Sequence, residues 1–166
     1  MKKPKYLYHG SRNAIKVLEP RKPDDPDPQL SKKAVYASSG KLGAIAHGIA
    51  SAKSECFGER GNPIDCFVKG WPTKKTHKYS YVHILDSKDF KHNVKNEWIA
   101  TKKVKPVRIE KYVIKDLKHL WRKSSKKELK EFLKDRDAWR IPKAERKSVS
   151  EIKKIKIKPV EVMNLK

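Results

Sequence analysis

Asn96-Glu97-Trp98-Ile99, read with Tyr8-His9-Gly10-Ser11 and Val35-Tyr36-Ala37-Ser38, decides how this chain folds. Each stretch is short and strand-like, and each carries one side chain able to do chemistry: Glu97, His9 and Tyr36. A glutamate beside Trp98 and Ile99 in an apolar strand is costly unless it is exposed or used. Strand alternation puts Glu97 and Ile99 on one face and Trp98 and Ala100 on the other. Taken singly, each residue has a plain reading: Glu97 as a solvent-facing carboxylate, His9 as a structural strand histidine, Tyr36 as a core aromatic. It is the three together, in order, that point to a site.

The rest of the chain sets the frame. At 166 residues it is expected to be one domain with a real core, spanning 1–166. Four Trp, six Tyr and four Phe supply core material although the apolar fraction is only 37%. There is no run of eighteen apolar residues, and Met1-Lys2-Lys3-Pro4-Lys5 leads into a strand instead of a signal sequence. A soluble, cytoplasmic monomer with no membrane contact is expected. Cys56 and Cys66 make no disulfide framework. A zinc site from Cys56, Cys66, His77 and His83 can be written, but it lacks the close-paired cysteines of structural zinc sites. Two reduced thiols and no metal are expected.

Charge is the second strong signal, with 42 Lys and Arg against 19 Asp and Glu, a net +23. Adaptation to heat raises Glu along with Lys and would not give this imbalance. Such a field attracts polyanions, so RNA or DNA is a natural partner. Lysine dominates, which favours backbone-directed, salt-sensitive contact over base reading. Lys123, Lys126, Lys127 and Lys130 cluster around a capping box at Ser125, and Lys154, Lys156 and Lys158 line one face of an alternating stretch at 155–158. These seven lysines are the candidate nucleic-acid-binding residues.

Residues 5–9 read as a first strand that Gly10-Ser11-Arg12-Asn13 breaks. Residues 20–28 hold four prolines and three aspartates and read as a loop. A strand at 34–37 precedes a helix capped by Ser38 or Ser39, with Leu42, Ile45, Ala46, Ile49 and Ala50 at helical spacing. Its glycines, Gly40, Gly43 and Gly48, weaken it but let it lie close to another backbone. Further strands are expected at 64–68, 79–85, 97–100 and 104–114. In the last of these Val107 and Ile109 share one face, Arg108 and Glu110 the other.

A histidine-glycine pair opening the fold, a tyrosine on a strand before a small-residue helix, and a late glutamate after an asparagine resemble the core of the diphtheria-toxin-like ADP-ribosyltransferases, which include the poly(ADP-ribose) polymerases. The resemblance covers roughly 5–114. It implies an enzyme that uses NAD as co-substrate, breaks the nicotinamide–ribose bond and transfers ADP-ribose to an acceptor, nucleic acid being a candidate beside protein or a small molecule. It also implies roles. His9 would bind the adenosine ribose hydroxyls, the Gly10 backbone the nicotinamide carboxamide, and Ser11 would lie beside that contact. Tyr36 would stack on the ring, and Glu97 would hold the nicotinamide-ribose 2′-hydroxyl and stabilise the oxocarbenium. Arg12, as a physical candidate for the pyrophosphate, and Ser38, at the helix start, complete the cofactor-binding set. His9, Tyr36 and Glu97 form the catalytic set.

The expected fold is α+β: two small, mainly antiparallel sheets pinched around an NAD cleft, a few peripheral helices, and a basic C-terminal appendage at about 115–166. The polymerase-type members place a second aromatic on the helix after the tyrosine strand. Here only His47 is comparable, and the long regulatory helical domain is absent, which points to a compact mono-transferase of the small branch. Two alternatives stand beside this reading: an NAD-dependent RNA 2′-phosphotransferase-like enzyme, which uses Arg and His for the phosphate, and a non-catalytic basic nucleic-acid-binding protein.

Overall fold

Two strands at the centre of the molecule organise everything else. The computed structural model describes residues 3–23, 31–49, 78–94, 97–113, 127, 134 and 157–165. In chain order the elements are β1 (Tyr6–Ser11), β2 (Val35–Ser38), α1 (Lys41–Ile49), β3 (Tyr79–Asp86), a 3₁₀ turn at Ser87–Asp89, β4 (Lys91–His92), β5 (Glu97–Ala100), β6 (Arg108–Val113) and β7 (Glu161–Asn164). β1 and β3 pair antiparallel from Tyr6 with Asp86 to Ser11 with Tyr81. β1 therefore runs through the glycine expected to end it, because a full-length partner strand supplies its ladder bonds.

The strands form one mixed-length sheet, ordered β4-β5-β2-β1-β3-β6-β7, and every pairing is antiparallel. The expectation of two small sheets is corrected: Tyr8 pairs with Ser38 and joins the two halves. That joint is a single register pair, whereas β1 meets β3 over six. The C-terminal expectation also shifts. Residues 157–159 are not strand, and the last strand is β7, pairing with β6 from Arg108 with Asn164 to Lys111 with Glu161. Part of the expected appendage is thus an edge of the sheet itself.

Both faces of the sheet are covered. On one, Leu7, Val35, Ala37, Leu85, Trp98 and Ala100 pack beneath Leu18, Phe90 and Val104. On the other, Val82, Ile84 and Tyr112 pack against Ala44 and Ile45 of α1, with Tyr8, Leu42 and Ile157 alongside. This is why β3 is buried at four consecutive positions, Val82 to Leu85, in place of simple alternation. It also corrects the reading of β6. Glu110 is buried, 4% exposed, because α1 covers its face, while Val107 is 39% exposed. Val104 makes an isolated bridge to Leu18 before β6 begins.

α1 lies unusually close to the sheet. A Cβ on Gly10 would fall 1.7 Å from the carbonyl oxygen of Ala44, so only glycine permits this approach. The strand expected at 64–68, the loop at 20–28 beyond residue 23, and Cys56, Cys66 and His77 lie outside the described residues. Lys127 and Lys134 are helical and exposed.

Candidate active site

The site grows from the weak joint between β1 and β2. Tyr8, Ser38 and Glu97 form one rung across three strands, Tyr8 opposite Ser38 and Ser38 opposite Glu97. Directly opposed residues share a face. The rung therefore puts an aromatic, a hydroxyl and a carboxylate on the side that α1 covers only in part. Tyr36 sits two residues before Ser38, on the same face, opposite Ile99.

Beyond that rung the two strands diverge, and the His9 side chain enters the gap. Its Nδ1 lies 2.7 Å from the Tyr36 carbonyl oxygen. A carbonyl only accepts, so Nδ1 carries the proton, and neutral His9 offers Nε2 as an acceptor. Burial, with a smaller contribution from Arg21, outweighs the hydrogen bond and lowers the His9 pKa below its ordinary 6.5. His9 is thus neutral at physiological pH.

His83, opposite His9 on β3, supports it from behind. Its Nε2 accepts from the Ile15 N–H at 2.9 Å, and its Nδ1 donates to the His9 carbonyl at 3.1 Å. With both nitrogens committed and the side chain buried, charging it is costly. Desolvation pulls its pKa down to about 4. The two rings meet edge to face, centroids 5.7 Å apart.

A cleft of about 230 Å³ opens here, lined by Tyr8, His9, Gly10, Tyr36, Ala37, Ser38, Ala44, His47 and Glu97. His9, Tyr36 and Glu97, on three different strands, are brought together in it, with Gly10 and Ser38. His47 of α1 lines it too. Ser11 and Arg12 do not line it. Ser11 ends β1 and its hydroxyl accepts from the Asn13 N–H at 3.2 Å, while Arg12 is exposed just past that strand. Ser38 accepts from the Gly40 N–H at 3.1 Å, a turn bond that leads into α1. Among the described residues no group of His, Cys, Asp and Glu is placed to hold a metal.

Glu97 is half-buried, and its Oε1 accepts from Asn93 Nδ2 at 2.7 Å. Asn93 and Lys32 were not legible as site residues, and His83, written in the sequence only as a zinc candidate, stands instead behind His9. For Asn93 a signal exists, since it faces Glu97 across the β4–β5 turn, four residues earlier. Asn96, directly before Glu97, lies outside the described residues, as do Lys123, Lys126, Lys130, Lys154 and Lys156. Lys127 and Lys158 are described and exposed. Among the described residues no helix is long and apolar enough to cross a membrane.

No family model matches this chain, and no curated protein or solved structure matches it.

Proposed function

We propose that this protein is an NAD-dependent mono-ADP-ribosyltransferase that cleaves the nicotinamide–ribose bond and passes ADP-ribose to an acceptor. The observation that carries the proposal is the shared cleft of His9, Gly10, Tyr36, Ser38 and Glu97. At about 230 Å³ the cleft is smaller than the roughly 300–1,000 Å³ of sites that enclose a whole ligand. It suits a nicotinamide ring and its ribose, with the rest of the dinucleotide lying along the open surface.

In this reading Tyr36 stacks on the nicotinamide and holds it in the cleft. His9, neutral, accepts a hydrogen bond at Nε2 from an adenosine ribose hydroxyl. Glu97 accepts from the 2′-hydroxyl of the nicotinamide ribose. As the C1′–N bond breaks, its electron pair leaves with nicotinamide, and positive charge develops on the ribose. The Glu97 carboxylate stabilises that charge. The acceptor's nucleophilic atom then bonds to C1′ and gives its proton to solvent, while nicotinamide leaves as the neutral base.

In a 2′-phosphotransferase Glu97 would have no equivalent duty, whereas the transferase reading uses it at the nicotinamide ribose, so that reading is favoured. The test is incubation with labelled NAD and separate pools of RNA, DNA and protein, with release of nicotinamide followed in parallel. Glu97→Gln is expected to keep the NAD-induced rise in melting temperature and lose most turnover, since a neutral amide cannot offset the cation. His9→Ala is expected to lose the thermal rise. Equal turnover by Glu97→Gln and wild type would make Glu97 an ordinary surface carboxylate and end the proposal.

A further inference from the structure

Two residues that do not line the cleft are hydrogen-bonded to side chains at its Glu97 end. Lys32 precedes β2. Its backbone carbonyl accepts from the Tyr36 hydroxyl at 2.6 Å, and its Nζ donates to Asn93 Oδ1 at 3.3 Å. Asn93 Nδ2 donates in turn to Glu97 Oε1 at 2.7 Å. One short segment thus reaches Tyr36 through its main chain and Glu97 through a side-chain relay.

The relay has a fixed direction. An ammonium only donates, so the Asn93 atom facing Lys32 is the oxygen. A carboxylate only accepts, so the atom facing Glu97 is the nitrogen. Both neighbours require the same amide orientation. The turn behind it is closed as well, since the Asn93 N–H donates to the Glu97 carbonyl at 3.0 Å and the Glu97 N–H to the Val94 carbonyl at 2.7 Å. An exposed amine 3.3 Å from an amide adds little to folding stability. What the relay supplies is aim: one oxygen of a half-buried carboxylate is held by a donor whose own orientation is set.

We propose that Lys32 and Asn93 are positioning residues, holding the Glu97 carboxylate and the Tyr36 ring in one arrangement for cleavage of the nicotinamide–ribose bond. This rests on the transferase reading above. Neither residue touches substrate; both act through Glu97 and Tyr36.

The test is steady-state release of nicotinamide from NAD by the full chain and by Asn93→Ala, Asn93→Asp, Lys32→Ala and Lys32→Arg, each also melted with and without NAD. A misplaced catalytic group costs up to about 100-fold in rate, so Asn93→Ala is expected to lower kcat by roughly 10- to 100-fold. KM and the NAD-induced thermal shift should stay within about twofold. Asn93→Asp should be at least as damaging, because it sets a second carboxylate against Glu97. Lys32→Ala should lower kcat by a smaller factor, and Lys32→Arg should restore it, since a guanidinium also donates to Oδ1. If Asn93→Ala does not melt cooperatively, the Lys32 pair decides. An active wild type with kcat unchanged in Asn93→Ala, or in Lys32→Ala, overturns this inference alone. A wild type that neither releases nicotinamide nor is stabilised by NAD overturns the transferase reading and this inference with it.

Discussion

The imidazole Nδ1 of His9 lies 2.7 Å from the backbone carbonyl of Tyr36, across a joint whose strands share one register pair. The side chain bonds where a regular ladder would place a backbone amide. The cost of opening a sheet is unsatisfied main-chain groups, and here one of them is satisfied by the histidine. The cleft lies beside that substitution. Fold and site are therefore one feature: the same imidazole bridges the gap and faces the ligand space.

Mild acid is expected to destabilise the protein through His83. Its folded pKa, about 4, is below the ordinary 6.5, so the unfolded chain binds the proton first as pH falls. The contribution is complete above pH 6.5 and is lost progressively down to about pH 4, where it levels off. Over that interval the loss is about 3 kcal/mol. His9 is lowered too and acts with the same sign below 6.5. Chemical denaturation at stepped pH values measures the slope. His83→Gln should flatten it in this window, and an unchanged slope would show that His83 does not titrate there.

Gly10→Ala tests the close helix. The added Cβ would sit 1.7 Å from backbone at Ala44, which cannot rotate aside. At Gly48 the nearest atom is the Ser80 hydroxyl at 2.1 Å, which can turn at the cost of its 2.8 Å bond to the Ile45 carbonyl, and the backbone oxygen of Ser11 is less severely approached, at 2.9 Å. Overpacking of this kind costs about 1–3 kcal/mol. The larger loss is expected for Gly10→Ala, together with loss of NAD-induced stabilisation, because Gly10 and Ala44 both line the cleft. Equal melting temperatures for the two variants would contradict the geometry.

Glu110 ties α1 to the sheet. Its Oε2 meets Lys41 Nζ at 2.7 Å and the Tyr112 hydroxyl at 2.5 Å, and its Oε1 meets Arg108 at 3.1 Å. Burial alone would raise its pKa, but the bonds from Lys41 and Tyr112 and the charges of Lys41 and Arg108 prevail and lower it. Its stabilisation is present above about pH 4.5 and lost as pH falls through the lower folded pKa, a window below that of His83. Lys41 and Arg108 are 37% and 44% exposed, so solvent screens their attraction. Glu110→Gln is therefore expected to cost about 1–2 kcal/mol, or roughly 2–8 °C in melting temperature. A neutral effect would mean that the cluster is fully rehydrated.

The lysine-rich C-terminal region, about 115–166, is expected to bind a polyanion and bring an acceptor to the cleft. Removing the whole region would strip β7 from β6, so charge substitution is the cleaner test. Lys123, Lys126, Lys127, Lys130, Lys154, Lys156 and Lys158 changed together to Gln should weaken binding to a mixed RNA and DNA pool. The fall of affinity with salt should also become shallower, by about 0.9 in log–log slope for each duplex phosphate that is no longer neutralised. An unchanged affinity and slope would assign the charge to solubility.

The strands around His9, Tyr36 and Glu97 were legible in the sequence, and so was the helix after Tyr36. A period of two or of 3.6 is a local property that needs no partner. The same alternation placed Glu97 and Ile99 apart from Trp98 and Ala100, as found. Everything that depends on a partner distant in sequence was decided by the tertiary structure. Register is of this kind: a one-residue slip would send Ser38 to the face away from Glu97, and no local pattern sets it. The continuity of the sheet turned on the single meeting of Tyr8 with Ser38, and the burial of Glu110 and His83 on what came to lie over them. Alternation sorts side chains into two faces, but only packing decides which face meets water. Of the relay from Lys32 through Asn93 to Glu97, only the four-residue spacing of Asn93 and Glu97 is local; the exposed Lys32 carries no signal until the fold sets it against Asn93.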